Sequence, residues 1–145
     1  MGSVWSLEQV LNNVGTQEGL VVDARNAGRF LGTAPEPRPG MRSGHIPGSI
    51  NVPFADVLIG WQLRPLKELQ ERLGAAGLSA KELEAKSGKT IVTSCGSGLT
   101  ACVVGLAMHL VGLPLERWAV YDGSWAEWGS REDTPVTRPS VESSG

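Results

Sequence analysis

The residues best able to do chemistry are Cys95 and those that follow it, Cys95-Gly96-Ser97-Gly98-Leu99-Thr100. Gly96 and Gly98 permit a tight loop whose backbone N–H groups turn inward and form an anion-binding nest at the start of a helix. A cysteine in such a nest is biased toward the thiolate, which is the nucleophilic form. Cys102 stands instead among Ala101, Val103 and Val104, with no glycine or base beside it. It is expected to pack in the core.

One cysteine in a loop of N–H donors could serve two chemistries. A phosphatase of the C-x-x-x-x-x-R type needs an arginine six positions after the cysteine to grip a phosphate dianion, and that position is Ala101. A persulfide carrier needs only the cradle and a sulfur acceptor, and fits better. Two nucleotide-like patterns compete with the thiol. Ser87-Gly88-Lys89-Thr90 resembles the end of a P-loop, but the glycine required five positions before Gly88 is Leu83, and the segment precedes a strand where a P-loop follows one. Gly96-Ser97-Gly98-Leu99-Thr100-Ala101 matches the dinucleotide pattern G-x-G-x-x-A, with Asp122 closing the next strand. Gly123 to Gly145 is too short for the further βαβ unit of roughly 30 residues that such a fold needs. The pattern also leaves Cys95 unexplained.

The composition narrows the partners. The 145 residues are 41% hydrophobic and 19% charged, enough for one well-packed domain. Thirteen basic against fifteen acidic side chains leave a net charge of −2, which does not suggest nucleic acid. The apolar stretch Leu99 to Leu113 is short for a bilayer span and contains His109 and Gly112, and Met1-Gly2-Ser3 lacks the features of a signal peptide. The expectation is no membrane partner and a reducing compartment, the cytoplasm or alternatively the mitochondrion. Cys95, Cys102, His45 and His109 show no zinc-ligand spacing, so neither a metal nor any other cofactor is expected.

The elements that must position the cysteine alternate between strand and helix. Ser6 and Gln9 form a capping box ahead of a short helix through Val10 and Leu11. Leu20-Val21-Val22 reads as a buried strand ending at Asp23, and Thr90-Ile91-Val92-Thr93 is another, β-branched throughout. Ser49 to Phe54 and Trp118 to Tyr121 complete four strands. Helical patterns cover Pro65 to Leu73, Ser79 to Lys86 (with the capping pair Ser79 and Glu82), Leu99 to Val111 and a start at Ser124 to Trp128. Arg25 to Gly48 is a long Gly-, Pro- and Arg-rich loop with a turn of helix near Phe30, and ordered loops of that length are often functional. These elements imply an α/β fold, a central parallel sheet with helices on both faces. Residues 1–136 form the domain and 137–145 a loose polar tail.

With these residues in view, the chain resembles the rhodanese family, and within it the catalytic domain of the 3-mercaptopyruvate sulfurtransferases. Cys95 to Thr100 is similar to that group's CGSGVT loop with Leu99 for valine, and thiosulfate-specialised relatives carry a basic residue where this chain has Gly96. Gly28 to Arg38 (GRFLGTAPEPR), Ser43 to Phe54 (SGHIPGSINVPF) and Tyr121 to Trp128 (YDGSWAEW) resemble the family in the same order. The resemblance implies that Cys95 takes a sulfane sulfur and passes it to thioredoxin, another thiol or cyanide. It implies that Arg29 and Arg38 hold the carboxylate and carbonyl of 3-mercaptopyruvate, a role suited to guanidinium forks. Gly96, Gly98, Leu99 and Thr100 would line the donor site, and Ser97 would bond the reacting sulfur, relay a proton or shape the loop. His45 and Trp125 with Trp128 read as structural, and Asp23 as an anchor for loop amides. Thiosulfate:cyanide transfer and a sulfur-relay module with little turnover are the alternatives. The family's tandem arrangement implies a partner domain, N-terminal and inactive, of which this chain holds no equivalent.

Overall fold

The computed structural model describes residues 3–37, 39–85, 89–96 and 99–137. Five strands form one parallel sheet in the order β1-β7-β6-β2-β3. They are β1 (Ser3–Trp5), β2 (Gly19–Asp23), β3 (Ile50–Asn51), β6 (Thr90–Ser94) and β7 (Trp118–Tyr121). The two central strands run in register from Gly19 opposite Thr90 to Asp23 opposite Ser94, so both stop at the same level.

Alternation along the strands divides the core. Val22, Ile91, Trp118 and Val120 face one layer, built by α3 (Leu66–Ala75), α4 (Ala80–Ala85) and α5 (Leu99–Leu110). Val21, Val92, Ala119 and Tyr121 face the other, built by α1 (Leu7–Thr16) and α6 (Ser124–Trp128). Strands covered on both faces must be apolar at successive positions, which is what Leu20 to Val22 and Ile91 to Val92 show. Both capping boxes form: Ser6 with Gln9 before α1, and Ser79 with Glu82 before α4.

Two expectations are corrected and two elements are added. β1 lies within a stretch to which the sequence assigned nothing, because three residues on a sheet edge carry no measurable period. The strand expected over Ser49 to Phe54 contracts to β3, after which Val52 and Phe54 still bond the edge of β2 before a 3-10 turn, Phe54–Val57. A small antiparallel hairpin, β4 (Leu58–Ile59) and β5 (Gln62–Leu63), turns through Gly60 in the left-handed region. Cys102 is exposed rather than in the core. The buried face of α5 is Ala101, Val104, Ala107 and Met108, and a residue one step from Ala101 is rotated about 100° away.

Candidate active site

Cys95 directly follows β6, at the C-terminal edge of the sheet where open α/β folds place their sites. It is fully buried. Its carbonyl accepts the Trp125 N–H at 2.8 Å, and the Gly96 carbonyl accepts the Ala126 N–H at 3.0 Å. The first turn of α6 therefore clamps the start of the cysteine loop. Gly123 and Ser124 aim that turn: Ser124 adopts φ 56°, unusual for a residue with a side chain, and its buried Oγ donates to the Tyr121 carbonyl at 3.0 Å. Ala24, one residue past β2, donates to the Ser94 carbonyl at 2.6 Å and steadies the other side.

A chain of charges leads from β2 to the loop. The Asp23 carboxylate accepts from Arg25 Nε at 3.1 and 3.0 Å and from Arg25 Nη2 at 2.7 Å, and takes the Arg25 N–H at 2.9 Å. Arg25 is itself buried, stacked 4.2 Å over Trp125, with Nη2 also donating to the Gly44 carbonyl at 2.6 Å. Its Nη1 reaches Glu36 at 3.3 Å. Glu36 then accepts from Arg29 Nε at 3.2 Å and Nη2 at 2.7 Å. Arg29 stands on α2 (Ala27–Leu31), and its guanidinium covers Gly96: a Cβ at position 96 would lie 2.9 Å from Nη2 and 3.3 Å from Nη1. Two acids and two bases alternate, so the group is formally neutral while the outer guanidinium meets the cysteine loop.

Residues 6–131 match the sequence profile of the rhodanese-like domain. The chain belongs to this family. It is 43% identical over 97% of its length to the mitochondrial thiosulfate/3-mercaptopyruvate sulfurtransferase 1 of Arabidopsis thaliana, spanning 35% of that protein. It is 46% identical over 86% of its length to the 3-mercaptopyruvate sulfurtransferase of Rattus norvegicus, spanning 39% of it. Among solved structures, the sulfur transferase subunit sub-stoichiometric in yeast mitochondrial complex I superposes with a TM-score of 0.76, at 35% identity over 92% of this chain and 44% of that one. The chain thus spans well under half the length of these relatives.

Of the residues singled out in the sequence, the rhodanese-like domain brings together Cys95, Gly96 and Arg29, and opens α5 with Leu99 and Thr100. Arg38, Ser97 and Gly98 lie outside the described residues, as do Ser87 and Gly88. His45 is structural: it is buried, its Nδ1 lies 2.7 Å from the Phe30 carbonyl, and it stacks on Phe30 at 3.8 Å. Trp125 and Trp128 are buried, and their indole N–H groups donate to the Arg42 and Pro135 carbonyls. Asp23 does take a loop amide, but its larger role is to hold Arg25. Sequence reasoning missed Arg25 and Glu36, because arginines and acids in a loop read as solvated. The available signal was their interleaving, Asp23, Arg25, Arg29 and Glu36 within one segment. Among the described residues, no cluster of His, Cys, Asp and Glu could hold a metal ion, and no helix is long and apolar enough to cross a membrane.

Proposed function

We propose that this domain is a sulfurtransferase that carries a sulfane sulfur as a persulfide on Cys95, with 3-mercaptopyruvate as donor. The observation that carries the reading is the placement of Cys95 at the end of β6, with the Arg29 guanidinium over the next residue. The Cys95 thiolate attacks the donor's thiol sulfur, the carbon–sulfur bond breaks, and its electron pair leaves on the pyruvate enolate, which takes a proton to become pyruvate. The new S–S bond leaves Cys95 as a persulfide. An acceptor nucleophile, either a thiolate (of thioredoxin or another thiol) or cyanide, then attacks the outer sulfur, giving a new persulfide or thiocyanate, and returns the Cys95 thiolate.

Arg29 offers charge-assisted hydrogen bonds to the donor's carboxylate or carbonyl, and Arg38 joins it in this reading. Ser97 bonds the sulfur or relays the enolate's proton, and Gly96, Gly98, Leu99 and Thr100 shape the cradle. Thiosulfate is the second donor, favoured by the Arabidopsis relative whose name carries both substrates. With thiosulfate, the sulfane–sulfite bond breaks and sulfite leaves with the pair. The family resemblance gives it a companion N-terminal domain as partner, and the length of the relatives beyond the matched part leaves room for one. The compartment proposed is the cytoplasm, with the mitochondrion of that same relative as the alternative.

Intact mass after incubation with 3-mercaptopyruvate tests this. One added sulfur and released pyruvate are expected for the wild type and for Cys102→Ser, and neither for Cys95→Ser. A folded Cys102→Ser variant without added sulfur, or a Cys95→Ser variant with it, would assign the chemistry elsewhere.

A further inference from the structure

Glu36 is a carboxylate in an unusual position. Its side chain is 2% exposed and lies between two guanidiniums. Arg25 does not depend on it, because Asp23, the Gly44 carbonyl and the Trp125 face already engage that side chain. Arg29 does depend on it. Its side chain is 23% exposed, it stands on a helix of only five residues, and Glu36 is the acid that grips it. Glu36 is thus anchored at one end to a buried arginine held by several other groups and at the other holds a more exposed one.

We propose that Glu36 is a positioning residue that aims Arg29 at the cysteine loop. Two consequences follow from the geometry. Glu36 occupies the Nε–H and one N–H of Nη2, so the donor meets the Nη1/Nη2 end, the end that lies over Gly96. Glu36 also balances the charge of Arg29, so the donor anion is held by directed hydrogen bonds rather than by an unpaired cation. The inference rests on the reading of Cys95 as the persulfide carrier.

A double-mutant cycle on single-turnover sulfur loading of Cys95 by 3-mercaptopyruvate, followed by intact mass, tests it. Glu36→Gln keeps the shape and removes the charge. The maximal loading rate should fall about tenfold, while the half-saturating 3-mercaptopyruvate concentration stays level or falls, because the released guanidinium attracts anions but no longer directs them. In an Arg29→Ala background the same substitution should change the rate less than about twofold, since the residue through which Glu36 acts is gone. Glu36→Asp keeps the charge but is one methylene shorter. It should lower the rate without lowering half-saturation, and it carries the same cycle if the glutamine variant does not fold. Equal losses in both backgrounds would overturn the proposal, as would full loading by Glu36→Asp or a raised half-saturation at an unchanged maximal rate. In each of those cases a loaded wild type leaves the persulfide reading standing. A wild type that takes up no sulfur from either donor would overturn both.

Discussion

Replacing Gly96 by alanine tests the site through the contact that most directly joins Arg29 to the cysteine loop. The added methyl would sit 2.9 Å from Arg29 Nη2, 3.3 Å from Nη1 and 3.5 Å from Cζ, where ordinary contact starts at 3.4 Å. The guanidinium must therefore retreat by about 0.5 Å, the difference between 3.4 and 2.9 Å. It is not free to do so without loss, because Glu36 holds it at 2.7 and 3.2 Å. Gly96 does not use the left-handed region, so alanine adds no backbone strain, and the cost falls on the arginine rather than on the fold. Losing one charge-assisted hydrogen bond to the donor costs about 1.5–3 kcal/mol, roughly ten- to hundred-fold in kcat/KM. Loading of Cys95 by 3-mercaptopyruvate should fall by that factor, with Tm held within about 2 °C. Adding Gly96→Ala to Arg29→Ala should cost little more, since the clash is gone. Wild-type loading in Gly96→Ala would refute the idea that the donor meets Arg29 above this residue. A large fall in Tm would show instead that the backbone itself requires glycine.

Two further substitutions probe the scaffold. Gly105 faces Trp118 inside α5, and a methyl there would overlap the indole that donates to Thr93 Oγ1 at 2.9 Å. Overpacking of about 1–3 kcal/mol should outweigh the roughly 1 kcal/mol that alanine gains in a helix, so Gly105→Ala should lower Tm by several degrees in a thermal melt, and an unchanged Tm would mean that Trp118 can swing aside. The Tyr121 phenol is pushed far above its ordinary value, first by burial and then by its hydrogen bond and charge interaction with Glu127. Below about pH 10 it is protonated in both folded and unfolded chains, so its contribution is fully present; above that only the unfolded chain ionises, and stability falls as pH rises. Tyr121→Phe should flatten that fall in urea midpoints measured on either side of about pH 10, and an equal slope in both proteins would count against it.

The reading from sequence was strongest where a signal is local. The thiol-bearing strand end needed only the run from Thr90 to Cys95, since β-branched residues declare a buried strand, and Cys95 is buried directly after it. The capping pairs Ser6 with Gln9 and Ser79 with Glu82 needed three residues of separation each, and both formed. His45 reads as structural from its segment, and it is held by the Phe30 carbonyl and ring. Arg29 entered through the family resemblance, and the structure brings its guanidinium over Gly96.

What remained illegible depended on contacts between distant segments. The apolar run of α5 covers its whole circumference, so no periodicity told which face was inward. Only the sheet beneath it decided that Ala101 and Val104 are buried while Cys102 faces outward, with Leu106 43% and Leu110 49% exposed. The clamp on the cysteine loop comes from α6, about 30 residues later, through two backbone bonds that no side-chain pattern encodes. The sequence by itself determined which groups could react and which strands could be buried, because those follow from residue type and near-neighbour spacing. The tertiary structure alone decided that Arg25 and Glu36 leave water, since a charged side chain is buried only when its partner is already in place, and here the partners meet across a folded loop.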